Sequence, residues 1–139
     1  MKNLFFVLLS VMYLSCSNVN NIEIKKSLLG IDKVVVKIYG LKDTSIVGAD
    51  RVKYISHIFF TEKITNPNCF ASYNVEGSEF NKTGEVIFYT GETIKFQFQF
   101  TLNEGWQYEM HKKQYFDKCF SYGMGMFLKD LIYELERSL

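Results

Sequence analysis

The side chains in this sequence with the reactivity to do chemistry are few: Cys16, Cys69 and Cys119, His57 and His111, and two close acid pairs, Glu76 with Glu79 and Glu134 with Glu136. A zinc centre needs three or four convergent cysteine, histidine or carboxylate ligands. Neither histidine has a cysteine or carboxylate at ligand spacing, so no metal is expected. General acid–base work needs two carboxyls held in different environments across a cleft. One acid pair falls in a Gly-rich turn and the other in a helix tail, so both read as solvated. No Gly-x-Ser-x-Gly elbow is present and no Gly-rich phosphate loop follows a strand. Cys69 and Cys119 lie in no Cys-x-x-Cys motif and beside no histidine that would generate a thiolate. The expectation is a protein without catalytic residues, metal or cofactor.

Cys16 differs because of what precedes it. Met1 and a single cation at Lys2 lead into the apolar run Leu4–Leu14, which ends at Ser15-Cys16. A run of this length is a secretory signal core, and a spanning helix needs about 20 apolar residues. In these sixteen residues the chain resembles bacterial lipoproteins, whose signal peptidase cuts immediately before a lipid-bearing cysteine. The resemblance implies a signal peptide over residues 1–15, lipidation at Cys16, and a membrane anchor that does not span the bilayer. It places the protein in the bacterial cell envelope, facing the periplasm from the outer or inner membrane. The polar stretch Ser17-Asn18-Val19-Asn20-Asn21 fits the flexible tether between lipid and domain. Cleavage after Ser17 is the alternative, since Ser15 and Ser17 are small residues at the positions ordinary signal peptidase reads; the product would be secreted or soluble in the periplasm. With Cys16 given to lipid, Cys69 and Cys119 remain as an even pair in an oxidising compartment and are expected to form a disulfide. Closing that loop stabilises by roughly 4 kcal/mol in the chain-entropy picture. Two buried free thiols are the alternative.

Removing residues 1–15 leaves 124 residues with balanced charge, the size of one domain. A neutral domain is a poor nucleic-acid binder, because affinity there comes from neutralising phosphates. The short clusters Lys25-Lys26 and His111-Lys112-Lys113 read as solvated faces. Aromatic residues make up 17% of the chain and there is one proline, which indicates an ordered domain with a substantial core.

Residues 16–30 are read as the lipidated cysteine, tether and a weakly patterned lead-in, and 31–139 as a single α+β domain. Val34, Val36 and Ile38 alternate with Val35, Lys37 and Tyr39, predicting a strand over 33–39. Residues 41–45 read as a polar connection. Val52, Ile55, Ile58 and Phe59 recur at helical spacing behind Asp50, predicting a capped helix to about residue 64, although the β-prone string 54–60 competes. Strands follow over 70–75, 84–89 and 93–101, with Ile94, Phe96, Phe98 and Phe100 on one face. The alternation continues through Trp106, Tyr108 and Met110. From about residue 122, Met124, Phe127, Leu128, Leu131, Ile132 and Leu135 define the apolar side of a terminal helix. The fold class is therefore α+β: an antiparallel sheet of four to five strands with helices packed on one face, in the order β-α-β-β-β-β-α.

A sheet covered on one side presents its other face to solvent. Tyr73, Tyr89, Gln97, Gln99, Gln107 and Glu109 fall on that face, and tyrosine among amides suits protein recognition because it contributes area at low entropic cost. These residues are the candidate partner-binding face. The reading that follows is a non-enzymatic envelope lipoprotein whose domain binds another macromolecule, as an inhibitor, immunity protein or assembly accessory does. A carrier of a small apolar ligand, held against Phe96, Phe98, Phe100 and Trp106, is the alternative; an envelope enzyme is the third.

Overall fold

The structure is a computed structural model that describes residues 19–60, 73–74, 83–102, 105–117 and 122–139. Three helices, α1 (Val19–Ser27), α2 (Ala49–Phe60) and α3 (Tyr122–Arg137), accompany seven strands: β1 (Lys33–Ile38), β2 (Thr44–Val47), β3 (Tyr73–Asn74), β4 (Gly84–Thr90), β5 (Thr93–Thr101), β6 (Gly105–Met110) and β7 (Lys113–Asp117). All strands join one antiparallel sheet in the order β2-β1-β4-β5-β6-β7-β3. The α+β class stands, with more strands than the sequence patterning gives. Cys16, Cys69, Cys119 and the pair Glu76 and Glu79 lie outside the described residues.

Two of the added strands have physical explanations. β2 begins inside the expected polar connection 41–45 and runs on to Val47, because Ile46 buries opposite Val34 while Ser45 and Val47 face solvent. One alternation over four residues is too short to stand out from loop composition. β7 was hidden by its turn: His111 and Lys112 both adopt positive φ, 53° and 62°. This is the left-handed pair of a tight hairpin, normally signalled by Asn-Gly, and here written with residues that read as a basic surface cluster.

α2 starts one residue before Asp50. Gly48 occupies the capping position, its carbonyl accepting the Val52 N–H at 3.0 Å, so Asp50 sits in the first turn, where its charge complements the helix dipole. The helix prevails over the competing strand because Val52, Ile55, Ile58 and Phe59 all become buried on one side. α3 does the same with Met124 and Leu128.

The core lies between these helices and one sheet face. Val34, Val36, Val86, Phe88, Phe96, Phe98, Phe100, Trp106 and Tyr108 form a single cluster with Ile24 of α1, four residues of α2 and two of α3. Aromatic rings dominate it. Phe59 meets Phe88, Phe98 and Phe127 edge-on, Phe60 meets Phe96, Phe98 and Trp106, and Trp106 stacks on Tyr108 at 4.7 Å. Edge and offset geometries of this kind contribute beyond area burial. Gly84 is required by the same packing, since a Cβ there would press onto the Lys37 carbonyl oxygen and the Phe100 ring.

Ile94 departs from the expected stripe. The β4–β5 register shifts between Phe88 and Tyr89, so Phe96 opposes Phe88 while Ile94 opposes Tyr89. The extra residue on β5 is a bulge, which turns Ile94 to the other face and leaves it 49% exposed.

Candidate sheet-face site

Cross-strand partners in an antiparallel sheet share a face, so the register alone assembles the site. One row runs across the sheet from Lys37 to Glu85, Gln99, Gln107, Phe116 and Tyr73. A parallel row carries Val35, Ile87 and Gln97, and a third carries Lys33, Tyr89 and Ile94. Glu109 and Gln114 pair at the β6–β7 end. The six residues singled out from the sequence, Tyr73, Tyr89, Gln97, Gln99, Gln107 and Glu109, thus occupy one face. Every buried helix residue belongs to the cluster on the opposite face.

The polar groups here are organised. Gln107 Nε2 donates to Gln114 Oε1 at 3.2 Å, and Gln114 Nε2 donates to Glu109 Oε2 at 3.1 Å. Lys37 Nζ lies 3.3 Å from Glu85 Oε1, and hydrogen bonding and attraction to Glu85 raise the Lys37 pKa. Lys33 Nζ sits 4.6 Å above the Tyr89 ring, a cation–π contact that holds the ring at the rim. Tyr39, next after Lys37 on the alternation of β1, lies near Glu85 and Gln99 on the same face. Burial, and then repulsion from Glu85, push its phenol pKa up, against Lys37 and Gln99, which lower it. Tyr39, Phe116 and Gln114 are members that the sequence reading missed. Tyr39 continues the alternation of β1 and was legible in principle; Phe116 and Gln114 became visible only with β7.

The other candidate residues stay apart. His57 is exposed on α2, while His111 in the β6–β7 turn contacts Glu23 of α1 at 2.6 Å. Glu134 and Glu136 are exposed on α3. Asp117, at the end of β7 opposite Trp106, is the buried charged residue among those described. No group of three or more histidine, cysteine or acidic side chains able to hold a metal occurs among the described residues. No described helix is long and apolar enough to cross a membrane. A cleft of about 330 Å³ opens on the helix side, lined by Ile46, Asp50, Arg51, Tyr54, Ile55 and Phe127.

No family model matches this chain, and neither the curated proteins nor the solved structures contain a match to it.

Proposed function

We propose that this protein is a non-enzymatic, envelope-anchored lipoprotein that binds another macromolecule, a protein, through the outer face of its sheet. The observation that carries the reading is that face itself: Tyr39, Tyr89, Gln97, Gln99, Gln107 and Glu109 lie together across four adjacent strands, β1, β4, β5 and β6, while the buried helix side chains pack on the opposite side. Tyrosine, glutamine and a few paired charges on a pre-formed surface lose little freedom on binding and supply both apolar area and hydrogen bonds. The anchoring half of the proposal rests on Met1–Cys16. The reading is favoured over a lipid carrier because Phe59 and Phe60 occupy the space over Phe88, Phe96, Phe98 and Trp106, where an apolar ligand would have to sit.

Affinity capture from envelope extracts tests it. The wild-type chain recovers a specific protein, and a Gln97→Lys/Gln99→Lys/Glu109→Lys chain that keeps its fold loses it. Absence of any specific partner, or equal recovery by both chains, overturns the proposal.

A further inference from the structure

The two edges of the sheet differ. Among the described residues, β3 ends it on one side with two residues, whereas β2 ends it on the other with four, Thr44-Ser45-Ile46-Val47. Three of these are β-branched, and the strand carries no charge, proline or bulge. Such devices are what proteins use to keep an edge from recruiting another strand.

The register identifies the unpaired backbone groups. The Tyr39 N–H bonds the Thr83 carbonyl at 3.1 Å, so the odd-numbered residues of β1 aim their backbone groups at β4, and Val34 and Val36 aim theirs at β2. The β2 partners of Val34 and Val36 are Ile46 and Thr44. Ser45 and Val47 therefore direct N–H and C=O outward, away from β1. Beside this edge lies the cleft of Ile46, Tyr54, Ile55 and Phe127, with Asp50 and Arg51 in its lining. Val47 is 57% exposed and Tyr54 62%.

We infer that β2 is the surface through which two copies of this chain associate, the strands running antiparallel about a twofold axis at Ile46. Pairing Ser45 with Val47 of the second copy, and Val47 with its Ser45, uses all the outward N–H and C=O groups of both strands. An identical copy fits better than an unrelated strand because the cleft beside the edge carries one acid and one base, Asp50 and Arg51, so a second copy brings the opposite charge to each. The apolar lining of each cleft then covers the other. This surface is separate from the outer-face residues Gln97, Gln99 and Glu109, so the inference does not depend on the proposed function.

Sedimentation equilibrium of the full chain in a density-matched detergent decides it. The wild type sediments as a dimer in reversible equilibrium with monomer. Ser45→Pro removes an outward N–H at an edge position where proline is tolerated, and it weakens the dimer by at least about tenfold while the circular dichroism spectrum stays native. Arg51→Glu, which makes the cleft charges repel across the axis, weakens it similarly, and it decides the matter should Ser45→Pro unfold. A Gln97→Lys/Gln99→Lys chain dimerises as the wild type does. A monomeric wild type, or folded Ser45→Pro and Arg51→Glu chains with unchanged dissociation constants, would overturn the inference.

Discussion

Tyr39 shows how one residue reports on its surroundings. It is about half exposed, yet partial desolvation and the neighbouring Glu85 carboxylate both oppose the phenolate, and its pKa lies above the ordinary 10.0. The nearby Lys37 is likewise raised from 10.5 by Glu85, so it keeps its charge to higher pH when folded. Both shifts act in one direction. A raised folded value favours the folded state fully at neutral pH, and that advantage fades as pH climbs from about 10 through the folded values. The exposure of the Lys37–Glu85 pair keeps its contribution small. The expected outcome is that Tyr39→Phe shows a shallower loss of stability between pH of about 9 and 11 than wild type, measured by urea unfolding. Its alkaline absorbance titration also lacks one tyrosine that ionises above the ordinary phenol value. An identical alkaline slope for the two chains would contradict the assigned environment.

At the scale of elements, two local irregularities set the register of the sheet. The bulge between β4 and β5 transfers Ile94 to the outer face, and the His111-Lys112 turn folds β7 back onto β6. The turn is the costlier of the two, because a non-glycine residue in the left-handed region is strained by roughly 1–2 kcal/mol. Its closure is assisted from outside by the His111–Glu23 contact, which ties the hairpin to α1. Lys112→Gly is therefore expected to raise stability by about 1 kcal/mol, seen as a higher urea midpoint at unchanged slope. An unchanged midpoint would show that the turn carries no such strain. The aromatic contacts between α2 and the sheet explain why the sequence 54–60 is helical although its composition suits a strand: as a helix it delivers Phe59 and Phe60 together to Phe88, Phe98 and Trp106.

At the scale of the whole molecule, one sheet face carries the core, the other is the proposed recognition surface, and the proposed address lies in residues 1–16. If Cys16 is the anchor, mass spectrometry of the mature N-terminus finds a cysteine carrying lipid. An unmodified N-terminal Asn18 would instead mean cleavage after Ser17 and a soluble product.

The division between what is local and what is not explains how much could be read in advance. The alternation of Phe96, Phe98 and Phe100 and the helical stripe Met124-Phe127-Leu128 state their structure directly, because each periodicity matches a single backbone geometry. The outer-face residues followed in the same way from alternation along individual strands. The sequence by itself thus determined the α+β class, the faces of most positions in the long elements and six members of the candidate face. Only the tertiary structure decided the strand order, the existence of β2 and β7, the bulge that moved Ile94, and the company of Tyr39 and Phe116 on the face. The physical reason is that register and strand neighbours depend on pairings between residues far apart in sequence, such as Lys37 with Glu85 and Val34 with Phe88. No run of adjacent residues encodes those pairings.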